Sequence, residues 1–227
     1  MNKVIAFVPA RCGSKTIARK NIRLFSGYPL IYWSLEALHR CPSIDQIVVA
    51  TDCDEIADIV DGFHFSNVLI YRRNKENARD DSSTESVMLE YINQSDLSDD
   101  FIFMLVQLTS PLTSAKHFGD ALTEFKHGSF DSLLSAVHNQ RFFWNAKGES
   151  LNYDFKKRPR RQNFSGQWLE NGAFYISTVK AIIANENRLS GKIKIYEMPA
   201  YTALELDSDL DWFIGEQLMK KYRIKDA

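Results

Sequence analysis

Residues 4–21 read VIAFVPARCGSKTIARKN, and they decide how the fold of this 227-residue chain is interpreted. The apolar start, VIAFV, predicts a buried strand, which breaks at Pro9 into a loop with four cations and no acidic residue. Backbone N–H groups can approach a ligand closely at Gly13, and cations offset the charge of phosphate groups. The stretch therefore predicts the first strand of an α/β sheet with a polyphosphate site directly after it. On composition alone, a solvated basic loop is the alternative.

The composition is that of an ordinary globular protein, with 44% hydrophobic and 25% charged residues. The length suits one domain, or one domain with an appendage, and we interpret residues 1–227 as a single domain. The net charge of −1 argues against a dedicated nucleic-acid-binding protein.

The three cysteines, Cys12, Cys41 and Cys53, are widely spaced and form no CxxC pair. This pattern predicts a reducing compartment and no zinc site. No apolar run approaches the roughly 20 residues of a membrane span, and the first one is too short for a signal peptide. We expect a cytoplasmic protein with no membrane partner.

Strand and helix patterns alternate along the first 138 residues. Strands are predicted at 4–8, 46–51, 68–71, 101–107 and 132–137, and helices at 29–40, 83–92 and 114–126. A further short helix ends near Val60 and is capped by Asp52 or Asp54. This order implies a mostly parallel, three-layer α/β sheet whose ligands bind beyond the carboxyl ends of the strands.

The alternation stops near His138, and residues 139–170 show no clear period. We interpret them as a hairpin-rich arm that leaves the sheet. Within it, Phe142-Phe143-Trp144 indicate a hydrophobic contact at the root of the arm or at a dimer interface, with a base-stacking surface as the alternative. The chain is completed by a strand at 171–177, a helix at 178–187, a strand at 193–196 and a helix at 208–222.

The first loop is neither a Walker A motif nor a GxGxxG motif. Residues 9–31, PARCGSKTIARKNIRLFSGYPLI, resemble the signature of the acylneuraminate cytidylyltransferases, the CMP-sialic acid synthetase family. The CMP-Kdo synthetases resemble this loop but lack the pair Lys20-Asn21. The pair therefore favours a nine-carbon sugar.

Further landmarks of that family follow in order over nearly the whole chain. Residues 49–52 (VATD), 73–84 (RNKENARDDSST), 107–112 (QLTSPL), 161–162 (RQ), 171–176 (NGAFYI) and 205–207 (ELD) resemble its later motifs. The chain differs from the family pattern at Asn74 and Asn77, which replace Pro and Leu, at Leu108, which replaces Pro, and at Glu205, which replaces Asp.

The resemblance implies a Rossmann-like α/β nucleotidyltransferase domain with a small arm, residues 139–170, that crosses a homodimer. It implies nucleotide-binding roles for Arg11, Gly13, Ser14, Lys15, Lys20, Asn21, Arg73, Ser82 and Thr84. Arg11, Lys15 and Lys20 would also be catalytic by stabilising the departing pyrophosphate. It implies sugar-binding roles for Gln107, Arg161, Asn171 and Tyr175.

The resemblance makes Glu205 and Asp207 the ligands of a magnesium ion. Carboxylates at alternate positions of an extended segment point to the same face, so the two could share a cation. The alternative is that acidic residues before a helix stabilise its N-terminus, and Asp209 and Asp211 fit this alternative better.

The implied reaction transfers CMP from CTP to the anomeric hydroxyl of a nonulosonic, sialic acid-like sugar and releases pyrophosphate. Two alternatives stay open: a CMP-transferase for another 2-keto-3-deoxy sugar acid of the Kdn or Kdo type, and a non-catalytic nucleotide-binding relative. The basic run at 156–161 is interpreted as solvated surface, with Arg161 as the exception.

Overall fold

The computed structural model describes residues 2–13, 17–79 and 81–223. The strands are β1 (Val4–Pro9), β2 (Leu24–Phe25), β3 (Tyr28–Pro29), β4 (Gln46–Thr51), β5 (Val68–Arg72), β6 (Ile102–Val106), β7 (Ser132–Asn139), β8 (Gln167–Thr178) and β9 (Ile193–Met198). The helices are α1 (Leu30–His39), α2 (Asp54–Asp61), α3 (Thr84–Gln94), α4 (Ala115–His127), α5 (Val179–Asn185) and α6 (Asp209–Tyr222). None of the described helices is both long and apolar enough to span a bilayer.

Seven of the described strands form one sheet in the order β5-β4-β1-β6-β8-β7-β9. The neighbours β5, β4, β1 and β6 are all parallel, and β7 is parallel to β9. Strand β8 is the exception, because it runs antiparallel to both β6 and β7. The predicted mostly parallel sheet is confirmed.

Alternate residues of β1 enter two different cores. Val4, Ala6 and Val8 pack with side chains of α1, α2 and α4 on one face of the sheet. Ile5 and Phe7 pack with α3 and α5 on the other face. A strand covered on both faces reads as a continuous apolar run, which explains the sequence VIAFV and confirms the three-layer arrangement.

The predicted helices begin where hydroxyl side chains cap them. Ser83, Ser114 and Ser208 accept hydrogen bonds from backbone N–H groups in the first turns of α3, α4 and α6. The predicted cap of α2 is wrong, because its N-cap is Cys53 and no side chain caps it. Asp52 instead accepts a hydrogen bond from the loop after β1.

The predicted strand at 171–177 is too short. Strand β8 begins at Gln167, and residues Gln167 to Glu170 pair with the end of β7. These first residues are exposed, so they lack the apolar pattern by which strands are recognised.

Between β7 and β8 the chain forms the arm expected for 139–170. The arm includes an isolated antiparallel bridge between Trp144 and Ser150. Phe142 packs on Tyr153 and Phe164 with ring centroids 4.1 and 4.9 Å apart. Further apolar side chains on and beside the arm are exposed, namely Phe143, Trp144, Leu151, Phe155, Trp168 and Leu169. That the arm mediates a dimer, and that 1–227 is one domain, stay predictions.

Candidate active site

A cavity of about 330 Å³ opens beyond the carboxyl ends of β1, β5 and β6. It is lined by residues of the loop after β1, the segment after β5, the start of α3 and the turn after β6. The predicted site residues that line it are Arg11, Gly13, Lys20, Asn21, Arg73, Ser82, Thr84 and Gln107. Residues from distant parts of the chain therefore meet where an α/β sheet places its ligands.

The loop after β1 is held by its own side chains and by the next strand of the sheet. The Nδ2 of Asn21 donates to the carbonyl of Arg11 at 3.0 Å, and the N–H of Cys12 donates to Oδ1 of Asp52 at 3.1 Å. Ser14 and Lys15 lie outside the described residues, so their assigned roles stay predictions.

Asp52 also binds Arg73, and so joins the loop to the segment after β5, which carries predicted nucleotide-binding residues. The guanidinium donates to Oδ1 of Asp52 from Nη2 at 2.8 Å and from Nε at 3.3 Å. Burial by itself would raise the pKa of Asp52, but the hydrogen bonds from Arg73 and from the Cys12 N–H lower it below its ordinary value. The sequence had placed Asp52 in a family motif without giving it this function.

Glu90 is a buried residue of α3 that the sequence did not single out. Its carboxylate accepts hydrogen bonds from the Tyr71 hydroxyl at 2.7 Å, from the Asn74 N–H at 2.8 Å and from the Asn77 side chain. Burial, and then this carboxylate, raise the pKa of Tyr71. The two positions at which the segment after β5 differs from the family pattern, Asn74 and Asn77, thus share one acceptor.

The N-terminus of α3 faces the same cavity. Ser83 and Thr84 line it, and Ser83 caps the helix by accepting from the Ser86 N–H at 3.0 Å. Unpaired N–H groups and the helix dipole favour anionic ligands at such an end. The acidic residue of this turn, Glu85, is paired with Arg188 at 2.5 Å.

Lys20 connects the cavity to the predicted metal ligands. Its Nζ donates to the carbonyl of Leu206 at 2.7 Å and to Oδ1 of Asp207 at 2.9 Å. The Lys20 side chain is only 11% exposed, whereas that of Asp207 is 65% exposed. One face of Asp207 is therefore engaged by a cation of the protein, and the rest of it is open to solvent.

Glu205 lies beside the turn after β6. The Leu206 N–H donates to the Thr109 carbonyl at 2.9 Å, which fixes this segment against the cavity wall. Gly172 has φ of +61°, and a Cβ there would lie 2.8 Å from Oε2 of Glu205 and 3.1 Å from Oε1 of Gln107. A side chain at position 172 would therefore collide with a predicted metal ligand and a predicted sugar ligand at once.

The donors at Glu205 and Asp207 suit magnesium. Burial raises the pKa of Glu205, and the nearby carboxylates of Asp207 and Glu170 raise it further, so a divalent cation would relieve crowded negative charge. Among the described residues no group of three or more His, Cys, Asp or Glu side chains could hold a metal. A cation here would need oxygens from the substrate, as magnesium often does.

Three of the predicted sugar ligands, Asn171, Tyr175 and Arg161, do not line this cavity. Asn171 is fully buried, and its Oδ1 accepts from Ser135 Oγ at 2.7 Å while its Nδ2 donates to the Thr202 carbonyl at 3.2 Å. The Tyr175 hydroxyl is also buried and donates to Glu170. The sugar-binding roles assigned to Asn171 and Tyr175 therefore stay predictions.

Arg161 lines a second cavity, of about 700 Å³, at the root of the arm. Two further arginines, Arg141 and Arg158, line it as well. Within the described chain this cation cluster is separate from the cavity that holds Gln107.

Residues 5–220 match the family described as "Cytidylyltransferase". The chain is 35% identical over 224 residues to N-acylneuraminate cytidylyltransferase B of Danio rerio, which covers 96% of this chain and 51% of that protein. It is 26% identical over 226 residues to CMP-N,N'-diacetyllegionaminic acid synthase of Legionella pneumophila, covering 96% of this chain and 97% of that protein.

Solved structures share the fold. A CMP:2-keto-3-deoxy-manno-octonic acid synthetase complexed with CTP superimposes with a TM-score of 0.69 at 15% identity, covering 97% of this chain and 99% of that one. The chain spans about half the length of the Danio rerio relative that it matches.

Proposed function

Because the chain belongs to the cytidylyltransferase family, we propose that it transfers CMP from CTP to the anomeric 2-hydroxyl of a nonulosonic, sialic acid-like sugar and releases pyrophosphate. One observation carries this proposal: the cationic loop, the Arg73 segment and Gln107 meet at one cavity beyond the carboxyl ends of parallel strands. The relatives named for sialic and legionaminic acids support the choice of sugar.

The reaction mainly requires that the protein position the two substrates and neutralise the charge of the phosphates, as in other transfers at phosphorus. The sugar oxygen attacks the α-phosphorus in line, a new P–O bond forms, and the bond to the β-phosphate oxygen breaks. Arg11, Lys15 and Lys20 stabilise the charge that develops on pyrophosphate. The N-terminus of α3 and Arg73 hold the nucleotide, together with Ser82 and Thr84.

Glu205 and Asp207 would hold magnesium together with phosphate oxygens of the substrate. When bound, the ion would polarise the α-phosphate and neutralise charge. Lys20 holds Asp207 by its ion pair and so orders the carboxylate next to the loop.

The sugar would lie against Gln107. We propose that the chain forms a homodimer through the exposed apolar side chains of the arm, since exposed apolar side chains gathered on one segment are typical of an interaction site. Arg161 stands at the root of this arm and is suited to bind a carboxylate of the sugar or the phosphates. Light scattering tests the dimer: a clean monomer at micromolar concentration would contradict it.

Pyrophosphate release from CTP, with magnesium and a panel of acid sugars, tests the function. We expect turnover with nonulosonic acids. Strict preference for Kdo would favour the related synthetase activity, and no release with any acid sugar would favour a non-catalytic nucleotide-binding protein.

The free thiols suit a reducing compartment, and we propose a cytoplasmic location.

A further inference from the structure

Two cysteine thiols, one on the loop after β1 and one directly before α2, lie in contact. The Sγ atoms of Cys12 and Cys53 lie 2.7 Å apart, and both residues are free cysteines. Cys12 is exposed on the loop. Cys53 immediately precedes α2 and is buried, with 7% of its surface exposed. The proposed transfer reaction gives neither thiol a task.

The sheet itself places the pair. Strands β1 and β4 are parallel neighbours, and Pro9 pairs with Ala50. Each cysteine follows its paired residue by three positions. The contact therefore follows from the register of the two strands as well as from the side-chain positions. Asp52 adds a tether, because it precedes Cys53 and accepts the Cys12 N–H at 3.1 Å.

We propose that Cys12 and Cys53 form a dithiol that low-molecular-weight disulfides oxidise to an intramolecular disulfide, which clamps the loop after β1 to the start of α2. The inference stands on geometry alone and does not depend on the proposed CMP transfer. A disulfide has an S–S length of about 2.05 Å, so the bond forms with a movement of less than ~1 Å.

The reaction runs in two exchanges. The exposed Cys12 thiolate attacks one sulfur of the small disulfide, whose S–S bond breaks and releases one small thiol. The Cys53 thiolate then attacks Cys12 Sγ and releases the second small thiol. The two protein thiols lose two electrons and two protons, and the small disulfide takes them up.

The hydrogen bond to Cys53 is the main cause that raises the pKa of Cys12 to about 11, followed by burial and by the charges of Cys53 and Asp52, while Arg19 lowers it. At neutral pH Cys12 is therefore mostly a thiol, and the first exchange is slow. Oxidation is best followed at mildly alkaline pH, where the thiolate fraction is larger.

The test treats the full chain with oxidised glutathione at about pH 8, then measures intact mass, maps disulfide-linked peptides and records thermal unfolding. We expect the loss of two hydrogens, a Cys12–Cys53 crosslink with Cys41 still free, and a melting temperature higher by roughly 5 °C or more. The rise follows because a crosslink that fits the fold restrains the unfolded chain.

Three variants sharpen this test. Cys41→Ala removes the third thiol, which lies apart from the pair, and should form the crosslink like the original chain. Cys53→Ala should stop at a mixed disulfide on Cys12, and Cys12→Ser should form neither product. A mixed disulfide that persists on Cys12 of the original chain, or an oxidised form that melts at or below the reduced one, would overturn the proposal. None of the three readouts uses CTP, so failure of this proposal is distinguishable from failure of the proposed activity.

Discussion

Replacement of Glu90 by Gln tests whether this buried carboxylate shapes the nucleotide cavity. Glu90 is 8% exposed and accepts from Tyr71, Asn74 and Asn77. Gln has the same shape but no charge, and it offers only one acceptor oxygen. Hydrogen bonds to a charged group contribute about 1.5–3 kcal/mol each and neutral ones about 0.5–1.5 kcal/mol.

The magnitude depends on how far the neighbours adjust. The Asn77 amide can turn to meet the new NH₂ group, and the Tyr71 hydroxyl has a second acceptor in Gln94 at 2.8 Å. We therefore expect a loss of about 1–2 kcal/mol in the free energy of unfolding, less than three full bonds. For a chain of this size that lowers the melting temperature by roughly 2–8 °C.

The kinetic effect should appear in the KM for CTP. Glu90 holds the segment that carries Arg73 and Asn77 on the cavity wall, but it does not face the reacting phosphorus in the proposed mechanism. If binding must reorder the segment, a cost of about 1.4 kcal/mol raises the KM tenfold, and kcat changes little.

Thermal unfolding and steady-state kinetics of Glu90→Gln measure both effects. Gln94→Ala is the matched control, since it removes the other acceptor of Tyr71 on the same helix and leaves Asn74 and Asn77 bonded to Glu90. A Glu90→Gln variant with unchanged stability and unchanged KM would refute the argument. So would a fall in kcat with the KM preserved.

The remaining predictions concern the loop and the carboxylates. Lys20→Ala should lower turnover by about 10² or more, because a cation at the departing pyrophosphate is lost; steady-state rates near those of the original chain would remove its role. Asp207→Asn should weaken the magnesium dependence in a metal titration, because one charged ligand is lost. The carboxylate of Asp209 pairs with Arg23 instead, so Asp209→Asn should leave that titration unchanged. Burial would raise the pKa of Asp52 in the folded protein, but the hydrogen bonds from Arg73 and the Cys12 N–H outweigh burial and lower it. The ionised Asp52 carboxylate therefore contributes its full stabilisation above the unfolded-state pKa of about 4. This stabilisation is lost as the pH falls from there through the lower pKa of the folded state. The free energies of unfolding of the original chain and of Asp52→Asn should therefore converge at low pH, and a difference that persists there would contradict this assignment.

Local patterns predicted most of the elements. The helices capped by Ser83, Ser114 and Ser208 begin close to the starts that the sequence predicted, and the buried strands of the parallel half were recognised because they are apolar throughout. The four exposed residues at the start of β8 were missed, since their pairing with β7 depends on a partner that lies far along the chain. The cap of α2 was misassigned because Asp52 serves Arg73 and the Cys12 N–H instead of the helix.

The sequence by itself determined the α/β class, the family and the loop that faces the cavity, because these follow from local periodicity and from a contiguous motif. Only the tertiary structure decided which side chains share the cavity. Strand register placed Cys12 against Cys53, and packing engaged the side chains of Asn171 and Tyr175 in hydrogen bonds to Ser135 and Glu170. It also gave Asn74 and Asn77 a common acceptor in Glu90. The physical reason is that hydrogen-bond partners and burial are set by residues distant in sequence, which no local pattern encodes.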